Sequence, residues 1–160
     1  MAVDDSRVPG PALEMIPAET GFLKKLLENP GLVPFLRQAA EATLAHQART
    51  GAPAPWTGYL ARRNGEWVGI CAFVDRPRDG EVEIAYGTAP GHEGQGIASA
   101  MAGWLIARAF REAEVDAVAA NTAPEHNAST RILQRHRFVR DGVIQDAGIG
   151  EAWHWKRPRE

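Results

Sequence analysis

The residues best suited to chemistry lie at 83–99, Glu-Ile-Ala-Tyr-Gly-Thr-Ala-Pro-Gly-His-Glu-Gly-Gln-Gly-Ile-Ala-Ser. An alternating stretch runs into a glycine-rich turn, and the turn opens a segment with helical spacing. The first amides of a helix lack partners within it, and the helix dipole adds positive charge there. Glycines at 94 and 96 let the backbone approach a pyrophosphate closely, and Ala98 and Ser99 are too small to block it. A Gly-x-Gly pair alone equally marks a plain tight turn. Residue type and position argue against two other phosphate loops. A P-loop ends in Gly-Lys-Ser/Thr, and 83–99 holds no lysine. A dinucleotide fingerprint needs a third glycine, where this chain has Ser99, and follows the first strand of its unit rather than the fourth.

The elements around that loop can be read from hydrophobic spacing. Residues 12–16 read as a strand. Residues 19–28 and 32–49 read as helices separated by Asn29-Pro30-Gly31. Residues 56–62 and 66–75 are strands joined by the hairpin signal Asn64-Gly65. Residues 81–88 alternate Val82, Ile84 and Tyr86 against Glu81, Glu83 and Ala85 as a strand. A helix over 97–111, a strand over 115–120, a helix over 127–137 and strands over 138–144 and 151–156 complete the order β–αα–βββ–α–β–α–ββ. Hairpins followed by alternating units predict a mixed sheet with helices on both faces, an α+β arrangement in three layers.

Composition narrows the class. The chain of 160 residues, 44% apolar and 24% charged, suits one globular domain, expected over 12–160 behind a loose arm at 1–11. A net charge of −2 gives no general attraction to nucleic acid or to an acidic membrane. No apolar run reaches the ~20 residues of a membrane span, and 1–11 lacks the pattern of a signal peptide. Cys71 is the single cysteine, in an apolar run, and reads as a small buried hydrophobe. It rules out an intrachain disulfide and fits a reducing cytoplasm. The histidines at 46, 92, 126, 136 and 154 show no metal-ligand spacing, so no metal is expected.

Residues 81–99 resemble the acetyl-CoA-binding motif of the GNAT N-acetyltransferases, Gln/Arg-x-x-Gly-x-Gly/Ala, filled here by Glu93, Gly94, Gln95, Gly96, Ile97 and Ala98. Residues 121–138 resemble the family's later motif, Asn-Ala-Ser-Thr-Arg followed by an apolar pair and Gly-Phe. The final Gly-Glu-Ala-Trp-His-Trp-Lys resembles the last strand of the branch with the ribosomal-protein alanine acetyltransferases. The resemblance implies a mostly antiparallel sheet of about seven strands, splayed between the fourth and fifth. It implies acetyl-CoA as co-substrate and a primary amine, a small molecule or a protein N-terminus, as acceptor. Tyr86, Gly87 and Thr88 would pair with the pantetheine arm, the amides of 94–99 would hold the pyrophosphate, and Asn127 would hydrogen-bond the arm. Two positions depart from the pattern. Glu93 stands at the Gln/Arg position, and Arg137 replaces the glycine before Phe138.

Acetyl transfer requires a neutral amine, a polarised carbonyl and a route for the thiolate to leave. Thr88 is placed for its amide to polarise the carbonyl. Glu83, on the strand that would carry the thioester, is the first candidate base, with a solvated strand carboxylate as the plainer reading. Asp146 and Glu151, near the last hairpin, are rivals. The tyrosine that many members use as an acid is replaced by Leu133. Ser129 matches the serine proposed for that role in the ribosomal-protein branch, and its plainer reading is a helix cap. The missing tyrosine and Glu93 keep a second function open, an acyl-CoA-binding module without catalysis. Oligomeric state leaves no mark on the sequence, and a homodimer stays open.

Overall fold

The computed structural model describes residues 12–51 and 53–160, so the arm expected over 1–11 lies outside the described residues. The elements follow in the order β1 (Glu14–Pro17), α1 (Thr20–Leu27), α2 (Pro34–Thr50), β2 (Gly58–Arg63), β3 (Glu66–Phe73), β4 (Glu81–Thr88), α3 (Ile97–Phe110), β5 (Ala117–Thr122), α4 (Ala128–Arg135), β6 (Val139–Asp146) and β7 (Gly150–Pro158). This is the order that the hydrophobic spacing predicts, and most ends move by only a few residues. Pro34 explains one shift. Its fixed φ suits the first helical position, so α2 begins there rather than at Leu32. Trp56 and Thr57 precede β2 because their amides close turns onto the Pro53 and Pro55 carbonyls.

One sheet takes all seven strands in the order β1-β2-β3-β4-β5-β7-β6. Every neighbouring pair is antiparallel except β4–β5, which is parallel. Helices α3 and α4 cover one face, where Val82, Ile84, Met101, Leu105, Val118, Leu133 and Trp155 form the main core. On the other face α1 and α2 pack Leu23, Leu36 and Ala40 against Leu60 of β2. Those helices lie over β2 and β3, and the same face of β4, β5 and β7 carries polar side chains instead. Among the described residues, no helix is long and apolar enough to cross a membrane.

Arg137 resolves one departure from the expected pattern. It adopts φ 67°, the left-handed conformation that a glycine there would supply, and the turn into β6 forms without one. Its guanidinium lies 2.5 Å from Glu160. Cys71 is buried, and burial pushes its thiol well above the ordinary range.

Candidate active site

The parallel strands β4 and β5 pair over only part of their length. Glu81, Val82 and Glu83 register with Ala117, Val118 and Ala119. Beyond that point β4 continues to Thr88 on β3, and β5 continues to Thr122 on β7. The two strands therefore part after Glu83, and the facing edges offer backbone groups to an extended ligand. Tyr86, Gly87 and Thr88 lie along this opening.

At its end the chain enters the glycine loop. Gly94 and Gly96 take φ 73° and 77°, where a side chain would be strained. Gly96 is the N-cap of α3, and no side chain caps that helix. The amides of Ile97, Ala98 and Ser99 thus begin α3 without helical partners. A cleft of about 350 Å³ lies against them, lined by Thr88, Glu93, Gly94, Gly96, Ala98 and Ser99 on one side. Arg131, Ile132 and Arg135 of α4 line the other. Ile97 is buried and anchors the turn in the core. Gln95 points away from the cleft's floor, its Oε1 accepting from Arg63 at 2.6 Å.

The Glu93 carboxylate folds back on its own loop and accepts from the Gly91 amide at 2.9 Å. The donor set of the cleft, free amides at a helix start and two guanidinium groups, suits a pyrophosphate. Arg131 and Arg135 escaped the sequence reading. Their i, i+4 spacing places both on one face of α4, but only the fold shows that this face meets the glycine loop.

The start of α4 assigns its capping clearly. Asn127 is the N-cap: its Oδ1 accepts from the Thr130 amide at 3.1 Å, and Thr130 Oγ1 accepts from the Asn127 amide at 2.9 Å. This reciprocal box contributes about 1 kcal/mol to the helix end. It engages the oxygen of Asn127 within the protein. Ser129 is not the cap. Its Oγ donates to the Tyr86 hydroxyl at 3.4 Å, across the opening from β4. Burial raises the Tyr86 phenol above its ordinary range, with the Ser129 contact opposing. Leu133, at the position of the missing tyrosine, is fully buried in the core.

Glu83 ends the paired segment on the face opposite Val82 and Ile84. Burial pushes its carboxyl up to about 7, and the nearby Asp146 and Glu81 carboxylates add to the shift. Asp146 behaves oppositely. Hydrogen bonds from Asn121 at 3.0 Å, Gly148 at 2.8 Å and Ile149 at 3.1 Å hold it below the usual carboxylate range. Two carboxyls on one face therefore take separate protonation ranges, the arrangement expected of a proton acceptor with a charged neighbour. Glu151 is exposed, across from Gln145 in the last hairpin. Trp155 is buried and donates to Thr122 at 2.9 Å, so it packs rather than faces an acceptor. His126 is exposed, edge-on to Trp153.

A mixed sheet opened between β4 and β5, with a glycine loop at the mouth, defines the acetyltransferase (GNAT) domain, and the chain belongs to that family. The family's profile matches residues 23–139. A curated relative, the uncharacterized N-acetyltransferase p20 of Bacillus licheniformis, is 28% identical over 89 residues. The match covers 54% of this chain and 49% of that protein, so the chain spans about half of the curated relative's length. Among solved structures, a RimL ribosomal L7/L12 alpha-N-protein acetyltransferase in complex with coenzyme A superposes with a TM-score of 0.66 at 16% identity, covering 91% of this chain and 93% of that one. An aminoglycoside acetyltransferase AAC(6')-Ib in complex with coenzyme A gives 0.63 at 20% identity, covering 92% and 94%. At these identities the structures establish a shared fold.

Proposed function

We propose that this protein transfers an acetyl group from acetyl-CoA to a primary amine, on a small molecule or a protein N-terminus, by direct attack on the thioester. The observation that carries the reading is the opening after Glu83, which leads to an uncapped, glycine-framed helix start. Coenzyme A in the related RimL and aminoglycoside acetyltransferase structures supports the choice of donor. The single buried thiol of Cys71 suits work in a reducing cytoplasm.

Acetyl-CoA supplies the activated acyl thioester. The amides of 94–99 bind its phosphates, assisted by Arg131 and Arg135, and the edge of β4 from Tyr86 to Thr88 orients the pantetheine arm along the opening. The Thr88 amide is proposed to polarise the carbonyl. Glu83 accepts a proton from the acceptor nitrogen as the N–C bond forms and the C–S bond breaks. With its carboxyl near 7, Glu83 is ionised in a useful fraction at neutral pH while still holding a proton well. The Ser129 hydroxyl, which donates to the Tyr86 hydroxyl at 3.4 Å, is proposed to supply a proton to the departing sulfur. Asp146 is proposed to act on Glu83 by its charge rather than as the base itself.

The test is to incubate the protein with acetyl-CoA and a panel of small amines and peptides, and to follow free thiol. Amine-dependent thiol release is expected. Tight acetyl-CoA binding without turnover on any acceptor would instead leave an acyl-CoA-binding module.

A further inference from the structure

Side chains from four strands meet on the face where Glu83 stands. Alternation from Ala119, the partner of Glu83, returns Asn121 of β5 to the same face. Asn121 is the register partner of His154 on β7. Its Nδ2 donates to Asp146 Oδ2 at 3.0 Å, and its Oδ1 accepts from His154 Nδ1 at 2.7 Å. The reverse orientation of the amide would set an oxygen against the carboxylate, so the two partners fix it. His154 Nε2 lies 3.5 Å from Glu81, and Lys156 Nζ lies 3.3 Å from the same carboxylate. A continuous polar chain thus runs from Asp146 through Asn121 and His154 to Glu81.

Asp146 sits where β6 turns into β7, in the hairpin farthest from the core. Residues 139–145 of β6 are exposed throughout. The Gly148 and Ile149 amides both bind Asp146 Oδ1, within its own turn. Among the described residues, only the Asn121 contact ties the carboxylate to the centre of the sheet. The other groups around Glu83 are Glu81 on β4, His154 and Lys156 on β7, Val74 just after β3, whose amide donates to the Glu83 carbonyl, and His46 of α2, whose ring bonds the Val74 carbonyl.

We propose that Asn121 is a positioning residue, holding the Asp146 carboxylate over the open end of the β4–β5 ladder beside Glu83. The consequence for transfer rests on the reading of Glu83 as the proton acceptor. Burial does most to raise the proton affinity of Glu83, and the charge of Asp146 fixed there opposes its ionisation further. Without the amide, Asp146 stays bonded only within its own turn, and the edge hairpin that carries it can swing the carboxylate away from Glu83 toward solvent, where its charge is screened.

The experiment is a carboxyl-carbon NMR titration of Glu83 in the full chain, with neither donor nor acceptor present. The parent is expected to titrate near 7. Asn121→Ala should lower the midpoint by about 0.5–1 pH unit, and Asp146→Asn should lower it similarly. In the Asp146→Asn background, Asn121→Ala should lower it no further. Asn121→Ser, whose hydroxyl is too short to reach Asp146, supplies the same reading should the alanine variant fold poorly. An unchanged midpoint in the Asn121 variants, or an added shift in the Asp146→Asn background, overturns the proposal. The acid limb of kcat/KM for the acceptor should move with the midpoint while acetyl-CoA affinity holds. An acid limb that ignores the Glu83 midpoint in the parent sinks the catalytic reading, and the titration still decides the role of Asn121.

Discussion

The two ends of the β4–β5 opening are built from different materials. The end proposed to hold the donor is mostly backbone: two glycines at positive φ, a helix start with no cap, and amides that need a ligand or water. The end proposed for the acceptor is mostly side chains: Asp146, Asn121 and His154 are hydrogen-bonded in series, His154 lies 3.5 Å from Glu81, and Glu83 stands beside them. Backbone recognition depends on φ and on the absence of side chains, so one added Cβ damages it. Side-chain recognition depends on charge, so it responds to pH and to isosteric replacement. Substitutions at the two ends should therefore separate donor affinity from turnover.

The largest effect is expected at the donor end. Gly96→Val forces a β-branched residue to φ 77° and closes the turn, and acetyl-CoA affinity should fall by about 100-fold in calorimetry. Normal affinity in that variant would remove the loop from the site. At the acceptor end, Glu83→Gln should lower kcat by about 100-fold and leave acetyl-CoA affinity unchanged. Equal loss at both steps would erase the contrast between the ends.

Glu83 also carries a stability signature. Its carboxyl is pushed up to about 7 in the fold, above the ordinary value of the unfolded chain. The folded state then binds the proton more tightly, so stability declines as pH rises from the unfolded value through about 7. Glu83→Gln should therefore be more stable than the parent by about 1–3 kcal/mol at pH 8, allowing for partial solvent screening, with the difference closing below about pH 4. Chemical denaturation at the two pH values reads this directly. A smaller effect is expected from Arg131→Ala and Arg135→Ala. Each should weaken acetyl-CoA by about threefold at low salt and less at high salt, because both side chains are exposed.

The donor end was the part that residue types announce. Glycines at 94 and 96 and a helix pattern from Ile97 are local signals that predicted the turn into α3, as hydrophobic spacing elsewhere predicted the order of elements. The Asn64-Gly65 hairpin and the alternation over 81–88 worked in the same way. The acceptor end is non-local. Asp146, Asn121, His154 and Glu81 come from four strands, and nothing in their spacing says that the order β4-β5-β7-β6 sets them side by side. Arg131 and Arg135 were missed for the same reason. Ser129 shows a limit of a different kind. A serine near a helix start reads equally as a cap, and only the Asn127–Thr130 box frees it to meet Tyr86.

Hydrogen exchange with and without acetyl-CoA tests the central claim most directly. Slowed exchange is expected at the amides of Tyr86 and Thr88, which face the opening, and of Ile97 to Ser99, with Glu81 to Glu83, already paired with β5, little changed. Protection confined to other segments, or none at saturating acetyl-CoA, would contradict a donor lying in the parted strands.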